Sequence, residues 1–181
     1  MTLKDVTKDP ENLTMVVIAE FNAPVERVWQ LWADPRQLER WWGPPTYPAT
    51  VVDHDLVPGG TVNYFMTGPE GDKNHGYWRV IAVDAPHSLE VQDGFAGDTG
   101  APNPDLPTTT MRVVLSEEGG VTQVVTTSTF PSREAMEQLV NMGMEDGLRA
   151  AMAQMDEILT ARARPAGGPV ICLEPPAILA I

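Results

Sequence analysis

Residues 132–160 have the sequence SREAMEQLVNMGMEDGLRAAMAQMDEILT, a run of helical periodicity that we expect to organise the rest of the fold. Ser132 is a residue type that favours a helix N-cap, and Glu134 follows in the first turn, where a carboxylate interacts favourably with the helix dipole. No proline interrupts the run, and apolar residues recur at three- and four-residue spacing. The segment therefore predicts one long helix with an apolar face, roughly 40 Å in length.

Two features of this predicted helix bear on binding. Five of the nine methionines of the chain lie on it, namely Met136, Met142, Met144, Met152 and Met155. Methionine is flexible and packs around irregular shapes. Gly143 and Gly147 lie one turn apart, where each costs about 1 kcal/mol relative to Ala. The pattern indicates a Met-rich core face with two packing glycines, and it is also compatible with one wall of an adaptable apolar pocket.

Composition and charge restrict the class of protein. The chain has 181 residues, of which 43% are hydrophobic and 20% charged, as expected for one ordinary domain that needs no disulfide or metal for stability. Its formal charge is -13, from 25 acids and 12 bases. This balance argues against nucleic acid, whose binding requires a basic face, and against docking on anionic membranes.

Location is predicted from what the sequence lacks. No run approaches the 18 or more apolar residues of a membrane-spanning helix, and residues 1–12 lack the apolar core of a signal peptide. Cys172 is the single cysteine, so no intrachain disulfide can form. We therefore expect a cytoplasmic protein without membrane insertion.

The segment before the long helix predicts an antiparallel meander. Residues 13–21, LTMVVIAEF, form a β-branched run bounded by polar residues, and two short helices follow, the first near Pro24 and the second at Asp34-Pro35. Hairpin-sized turns then separate five or more strands between residues 47 and 130. The class is therefore α+β, with a sheet of six to seven strands. The facing of the strand at 75–83 stays open.

These elements divide the chain into three parts. Residues 1–12 form an N-terminal extension, residues 13–160 form the folded domain, and residues 161–181 form an apolar tail that contains proline and glycine. The role of the tail is left open between packing on its own domain, contact with a partner, and a loosely held extension.

Several blocks, in order, resemble the START-like (SRPBCC) superfamily in its branch named for the activator of Hsp90 ATPase. They are FNAP at 21–24, WADP at 32–35, WWGP at 41–44, PGG at 58–60, MTGPEG at 66–71 and GMEDGL at 143–148. The resemblance implies a helix-grip fold, as in START and Bet v 1-like proteins. In that fold a curved antiparallel sheet wraps the C-terminal helix and encloses an apolar cavity.

The chain departs from the pattern of this family at three places. Leu148 stands where the family commonly has tryptophan, a change that would enlarge the cavity, and His54 stands where an apolar inward residue is usual. The chaperone-stimulating members also carry a separate N-terminal domain with an Asn-Asn-Trp-His-Trp motif, which this sequence lacks. The resemblance thus favours a ligand cavity over co-chaperone activity.

We predict that ten side chains contact a small hydrophobic or amphipathic ligand in this cavity. They are His54, Tyr64, Met66, Trp78, Met111, Thr126, Ser128, Met144, Leu148 and Met152. His54, Thr126 and Ser128 would provide polar contacts and the others an apolar wall. His54 is also the candidate acid or base of an enzyme, although a core histidine bonded to a backbone group is the commoner arrangement.

Ligand binding is the first functional hypothesis, and two alternatives stay open. One is a polyketide cyclase-like or hydrolase-like enzyme that uses the same cavity, and the other is a protein-binding role like that of the Hsp90 activators. No cofactor or metal is expected, because the sequence has no phosphate-binding or dinucleotide motif and places Asp53 and Asp55 on the face away from His54. A homodimer is a further open alternative.

Overall fold

A computed structural model of the chain describes residues 2–161, as one sheet with four helices. The elements in chain order are β1 (Thr2–Asp9), β2 (Thr14–Phe21), α1 (Val25–Ala33), α2 (Pro35–Leu38), β3 (Ala49–His54), β4 (Thr61–Thr67), β5 (Lys73–Asp84), β6 (Ser88–Ala96), β7 (Thr109–Glu118), β8 (Val121–Thr129), α3 (Arg133–Asn141) and α4 (Met144–Thr160). Residues 162–181, nearly all of the predicted apolar tail, lie outside the described residues.

The sheet is antiparallel throughout, with the strand order β1-β2-β8-β7-β6-β5-β4-β3. The predicted α+β helix-grip class is confirmed, including the two short helices after the LTMVVIAEF strand. The strand count is eight rather than six to seven. The added strand is β1, which forms within the predicted N-terminal extension, residues 1–12. This strand pairs with β2 from Thr2 to Asp9.

One face of the sheet carries the core. Along β2 the buried residues alternate with half-buried ones, as expected for a strand with one face toward the interior. The neighbouring β8 continues this face with Thr122, Val124, Thr126 and Ser128. In β5, Trp78 and Val80 point into the same core, while Tyr77 is buried on the opposite face against Gly94. This settles the facing that the sequence left open.

The helices α1 and α2 begin as their sequence signals predict, with one difference. Asp34 accepts a hydrogen bond of 2.8 Å from the backbone N–H of Arg36 and so caps α2, followed by Pro35 in its first turn. Pro24 provides no side-chain cap for α1. Instead the carboxylate of Glu117, on β7, accepts a hydrogen bond of 2.8 Å from the N–H of Val25. A side chain distant in sequence thus stabilises this helix start.

The predicted single helix over 132–160 is wrong: the segment forms two helices. Ser132 caps α3 as expected, accepting from the N–H of Ala135 at 3.1 Å, but α3 ends at Asn141. Gly143 then adopts φ 90° and ψ 20°, the left-handed conformation in which glycine commonly ends a helix. The absence of proline does not make the segment one continuous helix, because the left-handed Gly143 ends α3.

The break has a packing reason. Met136 and Leu139 on α3 pack with Met15 and Phe130 in a small cluster of their own. The buried residues of α4 (Ala151, Met152, Met155 and Ile158) belong instead to the main core. Because α3 and α4 cover different parts of the sheet, one straight helix could not pack against both clusters. Leu148 packs against both of them.

The C-terminal half of α4 is fixed to the loop after α2. The side-chain amide of Gln154 donates to the carbonyl oxygen of Gly43 at 2.7 Å and to that of Trp41 at 3.3 Å. The indole N–H of Trp41 in turn donates to the carbonyl oxygen of Leu31 at 2.8 Å. These bonds hold the tryptophan-rich segment 41–42 beneath the helix, next to the cavity described below.

Candidate functional site

A cavity of about 330 Å³ lies between the inner face of the sheet and the two C-terminal helices. Its walls are mainly apolar. The sheet contributes Tyr64, Met66, Asn74, His75, Gly76, Asp93, Gly94, Phe95, Thr109, Met111 and Ser128, and the helices and loops contribute Trp42, Pro44, Pro107, Leu139, Met142, Gly143, Met144, Gly147, Leu148 and Ala151. The cavity therefore spans five adjacent strands and meets the helix break.

The helix break forms one end of the cavity wall. Gly143 and Gly147 both line it, and a Cβ atom built at either position would meet no atom within 4 Å. They are therefore not packing glycines that allow another backbone to approach. They leave open space instead, which supports the interpretation of this segment as a pocket wall.

The most polar part of the wall is a pair of side chains from β4 and β6. The hydroxyl of Tyr64 donates a hydrogen bond to Oδ1 of Asp93, with an oxygen–oxygen distance of 3.3 Å. Gly76, on the intervening strand β5, lies directly opposite Tyr64. A Cβ atom there would be 2.5 Å from Tyr64 Oη, so the glycine allows the tyrosine to reach across β5.

Burial changes the titration of both groups. It raises the pKa of Asp93 from 3.8 to about 7, although the hydroxyl of Tyr64, the indole of Trp78 and the backbone N–H of Gly94 each favour the carboxylate. The pKa of Tyr64 is raised well above 10, mainly by burial and then by the charge of Asp93. Tyr64 is therefore a neutral donor near pH 7, where Asp93 can accept or release a proton.

Aromatic rings surround this pair. The Trp42 and Trp78 ring centroids are 4.7 Å apart in an edge-to-face arrangement, and each lies about 6 Å from the ring of Tyr64. The indole nitrogens of both tryptophans are buried without a hydrogen bond of good geometry among the described residues. Both indoles nevertheless lower the pKa of Tyr64, and that of Trp78 also lowers the pKa of Asp93, against the larger effect of burial. The carboxyl of Asp93 thus sits in aromatic, low-polarity surroundings.

The structure brings six of the ten predicted ligand-binding residues together in the cavity wall. These are Tyr64, Met66, Met111, Ser128, Met144 and Leu148. Trp78, Thr126 and Met152 are fully buried in the core and do not line the cavity. The sequence pattern places Thr126 and Met152 on inward faces and leaves the facing of Trp78 open. The structure buries all three in the core, outside the cavity wall. The buried hydroxyl of Thr126 has no hydrogen-bond partner among the described residues.

His54 is the tenth predicted residue, and it lies away from the cavity. A register shift between Val51 and Asp53 interrupts the alternation of β3, so Val52 is 62% exposed and His54 pairs with Val62, a buried residue of β4. His54 is half-buried, with Nε2 3.1 Å from the carbonyl oxygen of Trp32. A β-bulge adds one residue to a strand and changes which side chains share a face. This is the backbone-bonded arrangement that the sequence left open.

The sequence analysis missed Asp93. A signal was present, because Leu89 and Val91 point inward and the two-residue period places Asp93 on the same face. The glycine and proline content of residues 94–107 predicts a loop there, which obscures where the strand ends. The strand in fact continues to Ala96. An acid at an inward position of an apolar strand is the feature that would have identified it.

The family can now be assigned. Residues 22–160 match the model of the family described as "Activator of Hsp90 ATPase homolog 1-like protein". The chain belongs to this family. It is thereby a START-like domain.

Solved structures agree with the assignment. Protein Ms6760 from Mycobacterium smegmatis is 51% identical, with a TM-score of 0.82 over 90% of this chain and 99% of that one. A protein from Arthrobacter aurescens is 47% identical, with a TM-score of 0.84 over 88% of this chain and 92% of that one. DynU16, of the dynemicin biosynthetic locus, shares the fold at 18% identity, with a TM-score of 0.61 over 82% of this chain and 48% of its own. A comparison with curated proteins finds none that matches.

The described residues contain neither a candidate membrane-spanning helix nor a candidate metal-binding group. Within residues 2–161 no helix is both long enough and apolar enough to cross a membrane. The same part of the chain holds no group of three or more His, Cys, Asp or Glu residues arranged to bind a metal ion.

Proposed function

We propose that this protein binds a small molecule with an apolar body and at least one polar group, in the cavity between the sheet and the C-terminal helices. The observation that carries the proposal is the cavity itself. Its volume of about 330 Å³ is within the range of roughly 300–1,000 Å³ for small-molecule sites. Methionines and Leu148 provide an adaptable apolar wall, and Tyr64 with Asp93 provides the polar contacts that orient a ligand.

The test fills the cavity from the helix side. Leu148 lines the cavity and packs against both clusters, so Leu148→Trp places an indole in the open space. We expect the variant to lose binding of the neutral fluorescent probe N-phenyl-1-naphthylamine, measured by fluorescence titration. Ile81→Trp is the matched control, because Ile81 is exposed and does not line the cavity. Unchanged probe affinity in Leu148→Trp would overturn the proposal.

Native mass spectrometry of the freshly purified protein complements this test. A co-purified molecule that is present in the wild type and absent in Leu148→Trp would give the mass of the natural ligand. The same spectrum reports the oligomeric state, for which a homodimer stays a prediction.

A second candidate function is a cyclase-like or hydrolase-like activity in the same cavity. The observation that favours it is Asp93, an acid with a pKa of about 7 on the cavity wall, since general acid–base catalysis is most efficient near the working pH. Asp93 replaces His54 as the candidate group, because His54 lies outside the cavity. Hydrolysis of a p-nitrophenyl ester that is lost in Asp93→Asn and kept in His54→Ala would support this activity. The same rate in all three proteins would contradict it.

A further inference from the structure

The carboxyl group of Asp93 lacks a positive partner in the described part of the chain. None of the described residues that line the cavity is Lys or Arg, and none of the ion pairs between described residues includes Asp93. The hydroxyl of Tyr64 donates a hydrogen bond to Oδ1, and the indole of Trp78 and the backbone N–H of Gly94 also favour the carboxylate. None of these donors carries a charge. A carboxylate has about four acceptor positions on its two oxygens. Asp93 therefore has acceptor capacity left, and its charge is uncompensated.

The neighbouring groups would suit a cation. Trp42 and Tyr64 line the cavity together with Asp93, and their ring centroids are 6.0 Å apart in an edge-to-face arrangement. The faces of Trp and Tyr rings attract ammonium groups, most strongly where water is excluded. A half-buried carboxylate on the cavity wall, beside two such rings, therefore offers a positive group both a hydrogen-bond acceptor and an aromatic contact.

We propose, on the basis of the proposed function, that the ligand is a lipophilic amine. Its ammonium group pairs with the Asp93 carboxylate, and its apolar body fills the space lined by Met66, Met111 and Leu148. The ammonium supplies the counter-ion that the cavity lacks and forms a charge-assisted hydrogen bond, which is stronger than a neutral one. A neutral alcohol can bond to Asp93 but leaves its charge uncompensated. An organic acid would be repelled by Asp93.

Three probes with one ring system separate these alternatives. They are 2-(1-naphthyl)ethylamine, 2-(1-naphthyl)ethanol and 3-(1-naphthyl)propanoic acid, titrated into the full chain by calorimetry at pH 7. We expect the amine to bind at least about tenfold more tightly than the alcohol, as a hydrogen bond between charged groups implies, and the acid to bind most weakly. In Asp93→Asn the amine should lose its advantage over the alcohol.

Two further variants serve as controls. Asp84→Asn changes the net charge equally but affects an exposed side chain that does not line the cavity, so the preference for the amine should persist; its loss would show that general attraction to an acidic protein caused it. Tyr64→Phe keeps the carboxylate and removes the internal donor, so the preference should also persist there. These controls also keep the proposal testable if Asp93→Asn does not fold.

The outcomes distinguish this inference from the proposed function. Equal binding of amine and alcohol to the wild type, or a preference for the amine that survives Asp93→Asn, overturns the amine proposal. If the amine and the alcohol bind the wild type equally and Leu148→Trp abolishes the binding of both, the proposed function stands. Only the preference for an amine is then refuted. If none of the three probes binds the wild type, the amine proposal fails, and the titration with N-phenyl-1-naphthylamine decides the proposed function separately.

Discussion

Tyr64 on β4 reaches Asp93 on β6 across the whole width of β5, and the two side chains share a hydrogen bond of 3.3 Å. Gly76 makes this reach possible, because a Cβ atom at that position would come within 2.5 Å of the tyrosine hydroxyl. The polar pair in the cavity wall therefore depends on a residue with no side chain. Four predictions test this pair, the helix break and the edge of the sheet.

Gly76→Ala should force the Tyr64 ring away from its position over β5. We expect the free energy of unfolding to fall by about 1–3 kcal/mol, as is typical when a methyl group is added to a packed interior. Urea denaturation measures this loss. Gly97→Ala is the control, since a Cβ atom there would meet nothing within 4 Å. Equal stabilities of the two variants would contradict the role of Gly76.

The stability of the protein should depend on pH through Asp93. Its pKa rises from 3.8 to about 7 on folding, so between these values the folded state holds a proton that the unfolded chain has lost. The contribution of Asp93 to the free energy of unfolding therefore decreases as the pH rises from about 4 through 7 and is level above that. At about 1.4 kcal/mol per pKa unit, the decrease from pH 5 to 8 is on the order of 3 kcal/mol.

The difference between the wild type and Asp93→Asn isolates this effect, because the other titratable groups are the same in both proteins. Urea unfolding at pH 5, 6, 7 and 8 should show the wild type losing stability relative to the variant as the pH rises. Asp84→Asn, at an exposed position, should follow the wild type. A wild-type curve parallel to that of Asp93→Asn would show that Asp93 titrates normally in the folded protein.

Alanine should have opposite effects at the two glycines of the helix break. Gly147 lies within α4 with open space around it, so Gly147→Ala should stabilise the protein by about 0.5–1 kcal/mol through helix propensity. Gly143 has φ 90°, where a side chain costs about 1–2 kcal/mol, so Gly143→Ala should destabilise it. Thermal melting of the pair measures both. Two changes of the same sign would refute the assigned break.

The N-terminal strand should contribute to stability. Val6 on β1 is half-buried and packs against the main core, so Val6→Ser should lower the free energy of unfolding by about 1–2 kcal/mol. Lys4→Ala is the control on the same strand. The Lys4–Glu20 ion pair it removes is 3.0 Å long and solvent-exposed, and such pairs contribute about 0–1 kcal/mol. No loss in Val6→Ser would mean that residues 1–12 are dispensable.

The amino-acid sequence by itself determined the class of fold and most of the apolar wall. Alternation with period two and helical spacing are local consequences of backbone geometry, so they predicted the inward facing of Tyr64, Met66 and Met111 and the N-caps at Asp34 and Ser132. The ordered blocks between residues 21 and 148 identified the family. Each of these signals involves residues near one another in the chain.

Only the tertiary structure decided which inward residues reach the cavity and which chemistry lies there. His54 pairs with Val62 at the end of β3 and bonds to the carbonyl oxygen of Trp32, outside the cavity wall. The left-handed Gly143 divides the C-terminal helix, because packing against two separate clusters outweighs local propensity. The Tyr64–Asp93 pair joins β4 and β6 over Gly76. Such a pairing depends on strand register and on the space between three strands, and neither is encoded in the spacing of residues along one of them.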